Sequence, residues 1–193
     1  QALKVYNRQC SQYAKLKVVL VNNLIALSDQ TFPGIDSLFG KTPRQDGHQK
    51  WIDFIKSYWH KDCIIKKSFK SFDNSYKKWC SKNGYHYQSN KTIDIYQLAY
   101  EAVASMPYNA NTELIITETA NELISLVDTL ERLRIEMNRI ASQLPEYPVV
   151  LSLHGVGTTL GPQLIAEIGD VRRFHNRKAL IAYAGIDSSP YQS

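Results

Sequence analysis

Between Ala2 and Leu27 the apolar positions Leu3, Tyr6, Cys10, Tyr13, Leu20, Leu24 and Leu27 recur at steps of three and four, with Lys17 the one polar intruder. That period predicts one long amphipathic helix with coiled-coil-like spacing. The turn from Thr31 to Gly34 ends it, because Pro33 lacks an N–H and Gly34 accepts positive φ freely. A short turn through Leu38 and Phe39 follows, then a polar loop, and Trp51, Ile52, Ile55 and Trp59 predict a helix over about residues 48 to 59. From Lys61 to Lys82, Phe69, Phe72, Tyr76 and Trp79 interleave with Lys66, Lys67, Lys70, Lys77, Lys78 and Lys82. Helical spacing puts the aromatic rings on one face and most lysines on the other. Such a stripe fits a buried core, with base stacking as the alternative use.

A further helix is expected over about residues 92 to 105, through Ile93, Tyr96, Leu98 and Ala102. Asn109 or Asn111 then caps a helix whose stripe runs through Ile116, Ala120, Leu123, Val127, Leu130, Met137, Ala141 and Leu144 to Pro145, with Arg134 as its interruption. At roughly 35 residues it would span about 50 Å and needs a partner. The first long helix, antiparallel, or the same helix of a second subunit would serve. The stretch YHYQS, residues 85 to 89, is the only weak candidate for a strand.

The closing stretch VVLSLHGVGTTLGPQLIAEIGD has a different grammar: a short apolar helix, a tight Gly-Val-Gly turn, and a second helix beginning near Thr158, with Pro162 tolerated in its first turn. Four of the nine glycines, Gly155, Gly157, Gly161 and Gly169, fall here. The pattern reads as a helix-hairpin-helix, in which bare backbone N–H groups at a helix N-terminus suit a phosphate oxygen. A hairpin that merely packs is the other reading. The candidate nucleic-acid contacts are Gly155, Val156, Gly157, Thr158 and Thr159, joined by the basic Arg172, Arg173, Arg177 and Lys178 just downstream. The fold class is therefore all-α: long coiled-coil-like helices, a smaller helical insertion and a C-terminal helix-hairpin-helix. The segments are 1–40, 41–108, 109–146 and 147–193.

Charge sharpens this picture. Residues 1–91 hold 16 Lys and Arg against 6 Asp and Glu, whereas residues 92–193 hold 7 against 12. A basic half suits a polyanion, and equally a solvated lysine surface. Cys10, Cys63 and Cys80 lack disulfide or zinc spacing and read as reduced thiols. With no long apolar run and no signal-peptide order, the chain reads as cytoplasmic and not membrane-bound. It begins with Gln1, and we expect a piece of a longer polypeptide. Asp36, Asp46, Asp53, Asp62, Asp73 and Asp94 read as solvated surface carboxylates, so no metal ligands are assigned, and the histidines form no Ser-His-Asp pattern.

The run GVGTTLGPQLIAEIGDVRRFHNRKALIAYAGIDSSPYQS resembles the C-terminal transposase domain of the DEDD-type bacterial insertion-sequence transposases, the bridge-RNA-guided recombinases. Its elements are G-x-G, a small-residue helix, E-I-G-D, a basic pair with Phe, A-Y-A-G, and a serine about eight residues on. The first 40 residues, with Y-x-R-Q, F-P-G-I and L-F-G-K, are similar to the family's passage from its RuvC-like domain into its coiled coil. The resemblance implies DNA strand exchange through a serine nucleophile, which falls on Ser193; Ser188 and Ser189 are alternatives that read more simply as loop serines. It also implies DNA and a structured guide RNA as partners, a dimer or higher oligomer through the long helices, and a divalent metal (Mg) in a nuclease domain that this chain lacks. The chain itself would hold no cofactor and be inactive alone. Two other classes compete: a helix-hairpin-helix DNA-binding accessory protein, and a structural coiled-coil dimerisation module.

Overall fold

A computed structural model describes residues 2–40, 42–169, 175, 176 and 179. All regular structure among them is helical: α1 (Ala2–Thr31), α2 (Lys50–Ser57), α3 (Asp62–Ile65), α4 (Phe69–Lys82), α5 (Ser89–Glu101), α6 (Ala110–Ala141), α7 (Tyr147–Leu151) and α8 (Leu160–Ile168), with one 3-10 turn at Asp36–Leu38. None of the described helices is long and apolar enough to cross a membrane. The chain divides into two compact units, Cys10–Leu133 and a second formed by Gln1–Gln9 with Arg134–Ser193.

In the larger unit one core gathers Leu24 of α1, Phe54 and Ile55 of α2, Ile64 of α3, Phe72 and Tyr76 of α4, Ile95 of α5, and Ile116, Ala120, Leu123 and Val127 of α6. The stripe of α6 thus finds a partner here without a second subunit. α1 runs four residues past the expected Leu27 before Phe32, whose N–H bonds Ser28 O at 2.6 Å, and Gly34, at φ 78°, turns the chain. The backbone carbonyl of Gln30 accepts from the N–H groups of Ser105 and Met106, at 2.9 and 3.0 Å, so the segment entering α6 is tied to the end of α1. Asn109 is the residue that caps α6, its Oδ1 accepting from Thr112 N at 2.9 Å.

The aromatic face at 61–82 is core. Phe72, Tyr76 and Trp79 are buried and pack in a ring cluster with Phe54 and Tyr58, while Phe69 stays exposed against Tyr96. The helix expected to carry it is interrupted: Ser68 Oγ accepts from Ser71 N at 3.4 Å and starts α4 afresh at Phe69. α5 lies earlier than expected, ending at Glu101 where Ala102 turns extended. YHYQS forms no strand; Tyr85 donates its hydroxyl to Asp53, and Tyr87 donates to Asp73 at 2.6 Å.

Those bonds correct the surface reading of the carboxylates. Asp53 and Asp73 are half-buried acceptors for tyrosines, and half-buried Asp62 lies 3.6 Å from the ring of buried His60. His48 bridges elements, its Nε2 2.9 Å from Asp128 of α6 and its Nδ1 3.5 Å from Asp53 of α2. Burial alone would depress its pKa, but the hydrogen bond to Asp128 and the fields of Asp53 and Asp46 outweigh it and raise the net value. Asp46 is held down to about 2 by its hydrogen bond to Arg44, against the opposing effect of its slight burial. A raised histidine pKa means that the protonated ring stabilises the fold below the unfolded value near 6.5, and that this contribution fades as pH rises through the folded value. His48→Gln is therefore expected to lower the melting temperature more at about pH 6 than at about pH 9. Equal losses at both pH values would remove the bridge from the account.

Candidate nucleic-acid interface

The hairpin lies in the smaller unit. α7 starts at Tyr147, whose hydroxyl donates to Asn138 Oδ1 of α6 at 2.5 Å, and Pro148 occupies its first turn, where a missing N–H has no helical partner to lose. The turn that follows is closed by Val156 N donating to Leu153 O at 3.0 Å. Gly155 there has φ 80°, a left-handed conformation that a side chain would strain.

Gly161 does a different job. A Cβ on it would meet Leu151 Cδ2 at 2.9 Å and Val150 Cγ1 and Val156 Cγ1 at 3.7 Å, so its missing side chain lets α8 sit directly on α7. With Pro162, Ile165 and Ala166 it forms the buried face of α8, and Asn7 of α1 donates to Glu167 Oε1 at 2.5 Å. Pro162 lies in the first turn of α8, as its chemistry requires.

The sequence-derived contact residues separate into groups. Gly155, Gly157, Thr158 and Thr159 are exposed, and a Cβ on Gly155 or Gly157 would meet nothing within 4 Å. Val156 instead turns its side chain toward Gly161 and spends its N–H inside the turn. α8 begins at Leu160, two residues later than expected, with Thr159 at the N-cap position making no side-chain cap. Gly161 N–H is spent on Gly157 O at 2.8 Å and Pro162 has none, so the donors that make no hydrogen bond among the described residues are the N–H groups of Gly157, Thr158 and Thr159, beside two threonine hydroxyls, at the positive end of the helix dipole. Glycine at 157 is required neither by backbone conformation nor by internal packing, whereas Gly161, outside the G-x-G element, is the glycine that packing requires. Its signal is a small residue at the second position of α8, opposite the apolar run of α7. Arg172, Arg173, Arg177, Lys178 and Ser193 lie outside the described residues, as do Ser188 and Ser189.

Among the described residues no group of three or more His, Cys, Asp or Glu side chains could hold a metal ion. They do not fit the divalent metal that the family resemblance implies for a separate nuclease domain. What the described geometry can do is offer backbone and hydroxyl donors to an anion.

Residues 147–193, about a quarter of the chain, match the model of the Transposase IS116/IS110/IS902 family. Neither a curated protein nor a solved structure matches the chain. The family match begins at the first residue of α7, takes in the whole hairpin, and supports an insertion-sequence transposase and with it DNA transposition or recombination.

Proposed function

We propose that the chain is the part of an insertion-sequence transposase that holds DNA, with the outward N–H groups and hydroxyls at 157–159 receiving a backbone phosphate. The observation that carries this reading is the coincidence of the family match with the exposed helix start. Contacts of that kind position a duplex without reading its sequence. Arg172, Arg173, Arg177 and Lys178, next along the sequence, would add positive charge, and Gly155 gives the turn its direction.

Ser193 is the nucleophile in this reading. Its hydroxyl loses a proton, Oγ bonds to phosphorus, and the bond from phosphorus to one sugar oxygen breaks, that oxygen taking up a proton. One phosphoester replaces another, so a second strand end can later take the phosphoryl group without ATP. The Mg ion belongs to a RuvC-like domain placed upstream of Gln1, and a structured guide RNA is a further partner. Exposed Leu16 and Val19 of α1, with Leu126 of α6, line an open groove of about 350 Å³ in the larger unit, which supports association of two copies. Leu16→Glu is expected to shift sedimentation toward monomer; an unchanged assembly would place the interface elsewhere.

The hairpin claim has a test that separates binding from folding. Thr159 makes no side-chain cap, so aspartate at 158 and 159 loses no capping bond and adds negative charge where the helix dipole favours it, by about 0.3–1 kcal/mol. The same charges repel a phosphate. Thr158→Asp with Thr159→Asp is expected to keep or raise the melting temperature while weakening duplex DNA binding roughly tenfold at low salt. Undiminished affinity would favour a hairpin that only packs.

A further inference from the structure

We propose that the solvent face of α4 is a second docking surface, for the phosphate backbone of duplex DNA, built into the larger unit and separate from the hairpin. This rests on the transposase reading for its choice of DNA, and on the charge arrangement of residues 50–91 for everything else.

At 100° per residue, Lys70, Asn74, Lys77, Lys78, Ser81 and Lys82 fall within an arc of about 140°, opposite buried Phe72, Tyr76 and Trp79. The four lysines are exposed and spread over about 18 Å of helix. None of them takes part in an ion pair among the described residues. The carboxylates of this region point elsewhere: Asp53 accepts from Tyr85, Asp73 from Tyr87, and Asp62 sits beside His60. Acids are turned onto internal partners, while the lysines meet no carboxylate among the described residues and only Lys77 has a ring partner, its ammonium 5.7 Å from the centroid of Tyr87.

An ordinary solvated helix looks different, and α6 of the same chain provides the comparison. There, both signs are present, three arginines beside six acids, and Glu136 and Arg139 pair one turn apart at 2.6 Å. On α4, Lys78 and Lys82 stand four residues apart with like charge, an arrangement that destabilises a helix by about 0.2–0.5 kcal/mol. A polyanion would relieve it. Lys50 is not part of the face: its ammonium is turned inward over the Tyr76 and Tyr85 rings at 5.2 and 5.5 Å, and burial lowers its pKa.

The filling between the lysines fits that partner. Asn74, Ser71 and Ser81 are exposed hydrogen-bonding side chains that suit phosphate oxygens, whereas Ser75 spends its hydroxyl on Ser71 O at 2.8 Å. The face lacks the aromatic or aliphatic centre of a protein interface and the apolar side that a membrane-surface helix inserts. Its one exposed ring, Phe69, lies at the edge against Tyr96. About 18 Å of duplex axis presents roughly ten phosphates, enough to meet all four ammonium groups.

The test compares the chain with K70Q/K77Q/K78Q/K82Q and with the four-fold Lys→Arg variant, using a fluorescent random-sequence duplex, an RNA hairpin and phosphatidylserine vesicles over a salt series. The glutamine variant is expected to reduce the salt slope for duplex DNA by about 3 to 4 and to weaken binding at least about tenfold at low salt, while arginine restores both. An unchanged slope overturns the proposal; if Thr158→Asp with Thr159→Asp still weakens binding, the transposase reading survives that failure. Lysine-dependent binding confined to the RNA or to the vesicles overturns the choice of duplex DNA. No duplex binding by the parent chain overturns this proposal and the DNA-holding reading together.

Discussion

Phe54→Ala is expected to cost about 3–5 kcal/mol and to abolish or nearly abolish cooperative folding of the larger unit. Phe54 is fully buried, and its ring lies 4.7 Å from Tyr58, 5.1 Å from Phe39, 5.6 Å from Trp79 and 5.9 Å from Tyr76. Truncation removes the buried ring and leaves a cavity walled by stiff aromatic side chains that cannot collapse into it. Against a domain stability of roughly 5–15 kcal/mol, that loss is decisive. Phe69→Ala is the internal contrast: its ring is 42% exposed and should cost far less. Urea unfolding of both variants followed by tryptophan fluorescence checks the ordering, and equal costs would contradict the aromatic core.

Ser193→Ala, made in the complete reading frame, is expected to abolish covalent attachment to DNA and strand joining while leaving duplex affinity within about twofold. Alanine has no oxygen to bond phosphorus, whereas the proposed backbone docking would draw on donors at 157–159 and on lysines far away in sequence. A denaturing gel of labelled duplex with the Mg-supplied protein reads the adduct directly. An adduct that survives the substitution would move the nucleophile to another residue, with Ser188 and Ser189 next to be changed.

Much of the fold is legible because helical periodicity accumulates over long segments. α1 and α6 each repeat their stripe for about eight turns, so single intruders such as Lys17 and Arg134 do not hide it. Short elements are less legible, since local capping competes with the pattern. Ser68 stops one helical run and starts α4, and α5 ends before the Ser105 and Met106 N–H groups are taken by Gln30, a partner some 75 residues away in sequence. Phe54 falls outside the stripe formed by Trp51, Ile52, Ile55 and Trp59, yet it is the centre of the cluster, because Tyr58 and Trp59 leave the helix and still pack inward.

The site divides in the same way. Gly155 is legible, its positive φ being what a tight turn asks of glycine. Gly161 is legible only as a small residue until α7 is laid against it. The tyrosine links to Asp53 and Asp73 have no sequence period at all, since they join residues 32 and 14 positions apart. Seen together they turn a basic segment into a charge-segregated one, with acids internal and the α4 lysines facing outward.

The most direct test of the DNA-holding account is to titrate duplex DNA into the isotopically labelled chain and follow individual backbone amides. The account predicts that Gly157, Thr158 and Thr159 shift with the first equivalents of duplex, and that these shifts vanish in the Thr158→Asp, Thr159→Asp variant. Saturable binding with those three amides unmoved, or no binding at low salt, would contradict it.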